Sequence, residues 1–128
     1  VVWCHSLSAN NYANNRRINR AIWKSQEHSG IGKYKSCWTQ ESTYVDSQNG
    51  PVKGLDGLAG LINGFHEQMP GQQIQQRSKV DAHHNGGRFS WENIQDNGEK
   101  IEGMDYFEYN DQNKITRIIG FFGPFIDL

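Results

Sequence analysis

The chain has 128 residues, 35% apolar, 12% aromatic and 21% charged, with a net charge of -1 at pH 7. That is one domain's length, enough to bury a core without metal or disulfide support, and too aromatic for a disordered chain. The near-neutral charge argues against nucleic acid, because a binder of phosphates needs a basic face; the cluster Arg16, Arg17 and Arg20 reads as a solvated helix face. No run approaches the roughly 20 apolar residues that span a bilayer, and no basic start followed by an apolar stretch marks a secretion signal. The sequence begins Val1-Val2-Trp3 without methionine, consistent with a trimmed start. Neither nucleic acid nor membrane is therefore expected as a partner. Cys4 and Cys37 lack metal-ligand spacing. They are read as idle thiols of a cytoplasmic protein, with a disulfide as the alternative.

The first half reads as helical. Ser8 caps a helix running to about His28, with Tyr12, Ile18 and Ile22 inward, ended by Ser29-Gly30. A second, short helix is expected over Lys33 to Gln40, turning Tyr34, Cys37 and Trp38 inward. Thr43 to Asp46 then reads as a short strand, rich in β-branched and aromatic residues. The Ser47-Gln48-Asn49-Gly50-Pro51 segment is a loop.

The third helix has the clearest pattern. Leu55, Leu58, Ile62, Phe65 and Met69 recur at steps of three and four, which places them on one stripe. Pro70-Gly71 is its stop signal. Gly57, Gly60 and Gly64 interrupt it, each at up to about 1 kcal/mol relative to alanine. Such a helix is held by packing, and its glycines either admit a close neighbour or are simple drift.

From Ile74 onward the pattern is strands and turns. Ile74 to His84 is closed by Asn85-Gly86-Gly87; Arg88 to Gln95 by Asp96-Asn97-Gly98; Lys100 to Asn110 by Asp111-Gln112-Asn113; Ile115 to Phe125 is last. Asn-Gly between apolar runs is a strong hairpin signal. The result is a meander of three hairpins, and helices followed by a meander give an α+β domain with helices on one sheet face.

Side chains alternate along a strand. Ile101, Gly103, Asp105, Phe107 and Tyr109 therefore share one face; Phe89, Trp91 and Asn93 share another, as do Thr116, Ile118, Gly120 and Phe122. Asp105 stands alone among apolar neighbours. A desolvated carboxylate there can serve as a proton donor or shuttle; the alternative is a pairing with a lysine or a helix N-terminus.

The segment from Gly103 to Gly123 resembles the C-terminal strands of ketosteroid isomerases and SnoaL-like polyketide cyclases, in the nuclear transport factor 2-like superfamily. Tyr44 to Gly50, followed by Gly54 and the Leu55 helix, resembles their first strand and third helix. His83 to Trp91, then Asn97-Gly98 and Gly103-Met104-Asp105, is similar to the SnoaL-like core pattern. The resemblance covers roughly residues 9 to 125 and implies a cone-shaped α+β barrel. In it a curved, mixed sheet wraps N-terminal helices around an apolar pocket, and a homodimer forms through the outer sheet face, here with Met104, Tyr106, Ile119 and Phe121.

By motif, Asp46 falls where the isomerases place their general base, and Asp105 where they place the carboxylic acid of the oxyanion hole. In ketosteroid isomerases an aspartate base works beside a second aspartate kept neutral by an apolar site. The implied pocket is lined by Trp23, Trp38, Phe65, Trp91, Phe107, Ile118 and Phe122, with Tyr12, His66 and His83 as further polar groups. It would take a small apolar carbonyl or aromatic compound, in a cofactor-independent acid–base isomerase, cyclase or dehydratase; alternatively the domain is a non-catalytic ligand-binding or homodimeric interaction module. No cofactor and no metal are implied. Three features depart from the relatives. The stretch Asn19 to Trp23 has no tyrosine where the isomerases carry one. Gly103 stands where limonene-epoxide-hydrolase relatives have arginine. The histidines that scytalone-dehydratase relatives use have only His66, His83 and His84 as counterparts. In a regular strand His83 and His84 point to opposite faces, which makes them poor joint metal ligands.

Overall fold

The computed structural model describes residues 34, 36–69 and 74–128. The helix expected over Ser8 to His28, with Tyr12 and Trp23, lies outside the described residues. Among the described residues, one helix, α1 (Gly54–Gln68), packs on a mixed sheet. Its strands are β1 (Trp38–Val45), β2 (Val52–Lys53), β3 (Gln75–Gln76), β4 (Asp81–His83), β5 (Gly86–Ile94), β6 (Lys100–Tyr109) and β7 (Ile115–Phe122). The sheet order is β2-β1-β7-β6-β5-β3, with β4 also on β5. Only β1 and β7 run parallel; every other pair is antiparallel. This is the α+β architecture the sequence predicts.

The expected helix over Lys33 to Gln40 gives way to strand from Trp38 onward, and the short strand at Thr43 is the end of a longer one. The cause is a distant contact. The Ser42 hydroxyl donates to the Ile115 carbonyl at 2.5 Å and accepts the Thr39 N–H at 2.8 Å. It closes a bulge in which β1 advances from Trp38 to Thr43 while β7 advances only from Ile115 to Arg117. Trp38, Ser42 and Tyr44 are all buried as a result. A bulge of this kind bends and twists the strand that carries it.

Helix α1 follows the predicted stripe: Leu58 is fully buried, and Leu55, Leu61 and Ile62 pack against the core. Its start is fixed by Gly54, whose φ of +71° suits glycine and whose side-chain position is occupied by Gln40. The Gly54 carbonyl accepts the Trp38 indole N–H at 2.9 Å. Asp56 in the first turn complements the helix dipole. Of the three interrupting glycines, Gly57 lies against Val52, whereas Gly60 and Gly64 face open space among the described residues. Close approach thus explains the first alone.

The meander departs from expectation in four places. The run from Ile74 to His84 is two strands, because the Ser78 hydroxyl takes the Ser90 N–H at 2.8 Å and interrupts the ladder. The first hairpin turns at His84-Asn85, with φ of 49° and 66°, so Gly86 and Gly87 belong to β5. Two central residues with positive φ make the tight turn that matches strand twist. The last strand ends at Phe122, before Gly123 at φ +78°. Within β7, Thr116 is an extra residue opposite the Glu108–Tyr109 step, so Ile115 and Ile118 both turn inward and are fully buried.

Cys37 is buried and disulfide-bonded. This overturns the idle-thiol reading for that residue; Cys4 lies outside the described residues. No described helix is long and apolar enough to cross a membrane.

Candidate functional site

The inner sheet face is built from alternate residues of four adjacent strands. Register places Phe89 opposite Asp105, Asp105 opposite Gly120, Phe107 opposite Ile118, and Ile118 beside Tyr44. Phe107 and Ile118 are fully buried and fill the floor. Asp105, 6% exposed, lies in this apolar row.

Two glycines shape its surroundings. Gly103 pairs with Trp91, and a Cβ there would run into the Phe121 carbonyl and lie 2.5 Å from Cζ2 of the indole. The missing side chain lets the ring lie across β6 and donate its Nε1–H to Asp105 Oδ1 at 3.1 Å. Gly120 faces Asp105 on the other side. A Cβ on Gly120 would lie 3.1 Å from Asp105 Oδ1, 3.1 Å from the Tyr44 hydroxyl and 3.3 Å from Asp46 Cβ. The two aspartates singled out in the sequence are thus brought to one notch, with a tyrosine between them.

Tyr44 is the residue the sequence reading missed. Two-residue spacing places Tyr44 on the face of Asp46, and that is the signal that could have found it. Its hydroxyl donates to Asp46 Oδ2 at 2.6 Å. Its pKa is driven far above the ordinary phenol range, first by burial, then by the hydrogen bond to Asp46 and the charges of Asp105 and Asp46. Tyr44 therefore stays protonated and donates to Asp46.

Asp46 itself organises the loop after β1. Its Oδ1 accepts the backbone N–H groups of Gln48 at 2.7 Å and Asn49 at 2.6 Å, and the Asn49 amide lies 3.2 Å from both oxygens. Together with Tyr44 these donors occupy the roughly four acceptor directions of a carboxylate. Lys53 pairs with Glu41 rather than with Asp46.

The other expected lining residues are dispersed. Trp91 and Phe122 meet edge to face at 5.6 Å, with Phe122 38% exposed at the sheet margin. Trp38 is buried at the end of β1 remote from Asp46, tied to α1 through its indole. Phe65 is half-buried on α1. His66 is also on α1, with a side chain outside the description; Tyr12 and Trp23 lie outside the described residues. His83 corrects the expectation of a pocket histidine: it pairs with Gly86, whose parity on β5 is opposite to that of Phe89, so it belongs to the outer face and is exposed. No group of three or more metal-ligating side chains converges among the described residues.

No protein-family model and no curated protein sequence matches the chain. Solved structures do. A candidate isomerase of the SnoaL-like family from Agrobacterium tumefaciens superposes with a TM-score of 0.69 at 22% identity, over 84% of this chain and 97% of that one. A candidate SnoaL-like polyketide cyclase from Jannaschia sp. CCS1 gives 0.62 at 12% identity, over 83% and 80%. A protein with a ketosteroid isomerase-like fold from Catenulispora acidiphila, in complex with trimethylamine, gives 0.62 at 10% identity, over 82% and 84%. At these identities the likeness is one of fold, and it is the nuclear transport factor 2-like fold that the motifs indicated.

Proposed function

We propose that this nuclear transport factor 2-like domain binds a small apolar carbonyl or aromatic compound against its inner sheet face and moves a proton on it by acid–base chemistry of its own side chains. One observation carries the reading: Asp105, buried and held by the Trp91 indole, faces the Tyr44 hydroxyl across the Gly120 notch. Asp105 is the ligand-facing acid–base group. Tyr44 offers an oxygen on the opposite wall, and Asp46 holds Tyr44 and the loop. Positioned proton transfer of this kind supplies about 10²- to 10⁴-fold of rate. The isomerase and cyclase descriptions attached to two fold neighbours agree with this class of chemistry and carry no more than that.

The hydrogen bonds of Asp46 favour a second reading, a module that binds without turnover. A base must have a free lone pair, and Asp46 would have to release Tyr44 or its loop to provide one. Two probes separate the readings. Exchange of the α-hydrogens of 2-tetralone in D₂O, followed by NMR, reports proton transfer; 2-naphthol fluorescence reports binding. Catalysed exchange, cut by Asp105→Asn with the fold intact, supports the enzyme. Naphthol binding without exchange supports the module, and neither signal removes the small-molecule site. Full exchange by Asp46→Asn excludes Asp46 as the base.

Homodimerisation through the outer face belongs to the same proposal. Met104 lies opposite Phe121, and Tyr106 opposite Ile119, forming one apolar patch with Phe121 52% exposed. The disulfide at Cys37 favours an oxidising compartment over the cytoplasmic one expected from the sequence.

A further inference from the structure

The tip of the β4–β5 hairpin carries two histidines that the inner-face site does not use. In a regular strand they would diverge. Here the positive φ of His84 and Asn85 turns the chain back, and the two rings converge with their Nδ1 atoms 3.1 Å apart. We propose that His83 and His84 form a chelating site for a divalent transition ion such as Cu²⁺ or Zn²⁺.

Imidazole nitrogens sit about 2.0–2.1 Å from such ions. Two of them on one ion are then about 2.9 Å apart at a right angle and about 3.4 Å apart at a tetrahedral angle, by the same bond lengths. The observed 3.1 Å lies between these values. Two facing ring nitrogens cannot both present lone pairs; a proton on one of them now joins the pair, and a cation can replace it. Imidazole suits copper, zinc and nickel, with copper bound most strongly in the series.

The tip is held in place from both sides. His83, Ala82 and Asp81 pair with Gly86, Gly87 and Arg88. The Asn85 amide donates to the Tyr109 carbonyl at 3.0 Å, and the Tyr109 N–H donates to the Asn85 carbonyl at 2.9 Å. A groove of about 200 Å³, reaching Asp81, Arg88 and Tyr106, adjoins the two rings and has room for the water or small anion that would complete the coordination. Asp81 neutralises Arg88 at 3.1 Å, which lowers the repulsion an arriving cation would meet. With two protein ligands the site is an exchangeable one, unlike a closed structural zinc centre.

The test is Cu²⁺ titration of the full chain, read by paramagnetic broadening of backbone amide signals and by calorimetry, with Zn²⁺ as competitor. The chain has five histidines, so localisation matters. Broadening should begin at residues 81–87 at substoichiometric Cu²⁺, and His83→Gln and His84→Gln should each weaken binding at least about tenfold, or about 1.4 kcal/mol. Both positions are exposed; His83→Gln should leave metal-free unfolding unchanged, and His84→Gln, at a positive φ that suits His better than Gln, should lower stability only slightly. Broadening centred elsewhere, or an unchanged affinity in either variant, overturns the proposal.

Discussion

Replacing Gly120 by alanine tests the geometry of the inner-face notch directly. The added methyl would sit 3.1 Å from Asp105 Oδ1 and 3.1 Å from the Tyr44 hydroxyl, and 3.3 Å from Asp46 Cβ. These neighbours cannot easily yield: Asp105 is bonded to Trp91, Tyr44 to Asp46, and Asp46 to its loop. Overpacking of a fixed core typically destabilises by about 1–3 kcal/mol. Alanine in a strand gains about 0.5–1 kcal/mol over glycine, which offsets part of it. The net expectation is a loss of about 0.5–2 kcal/mol. Gly60→Ala is the internal control: its added methyl meets nothing among the described residues, and it should stabilise α1 by up to about 1 kcal/mol. Urea unfolding of both variants, with m-values checked for constancy, gives the two signs. If Gly120→Ala is as stable as Gly60→Ala, the notch is not the rigid cradle described above, and the reasoning from it fails.

Three further outcomes follow. Tyr44 has a folded-state pKa raised above the unfolded value of 10.0, so its contribution is intact below pH 10 and is lost as pH rises further. Unfolding free energy should fall by up to about 1.4 kcal/mol per pH unit on this account, and Tyr44→Phe should remove that part of the alkaline slope. Trp91→Phe deletes the indole donor to a buried carboxylate and should destabilise by about 1–3 kcal/mol, measured by chemical denaturation, with a matching loss of 2-naphthol binding. Phe121→Glu puts charge into the outer apolar patch; on the proposed dimer, sedimentation should show the unsubstituted chain as a dimer and the variant as a monomer, with the inner-face site unaffected.

Local patterns carried much of the architecture. The three- and four-residue steps from Leu55 mark α1, and turn signals mark the hairpins that the sheet contains. What the sequence does not reveal depends on contacts between distant residues. Ser42 meets Ile115 across 73 positions, and no local propensity announces the bulge that turns an expected helix into β1. Thr116 breaks the alternation of β7 in the same way, so Ile115 turns inward against the two-residue pattern. The hairpin turned one residue earlier than its Asn-Gly signal because His84 and Asn85 both adopt positive φ. A buried carboxylate on Glu92, held by Arg77 and Lys100 at 3.1 Å each, was also not foreseen, since its cations come from different strand edges. At the candidate site, alternation alone places Asp105 among aromatics, whereas the role of Tyr44 depends on its contact with the Asp46 carboxylate, which no local pattern announces.

The glycines of the inner face bear directly on the chemistry proposed for this row. A strand glycine sacrifices about 0.5–1 kcal/mol relative to alanine, and both Gly103 and Gly120 adjoin Asp105, one along β6 and one across on β7. Filling the row with β-branched residues would force the new side chain at Gly103 into the Phe121 carbonyl. It would also exclude the Trp91 ring from β6 and the Tyr44 hydroxyl from β7, leaving Asp105 buried without the indole donor that now holds it. The two absent side chains and the carboxylate thus form one device. Each glycine admits a polar group toward Asp105 from a different strand, and the aspartate is fixed on one side by a donor and faces a hydroxyl on the other. The proposed site, which would orient a small oxygen-bearing ligand, calls for that arrangement.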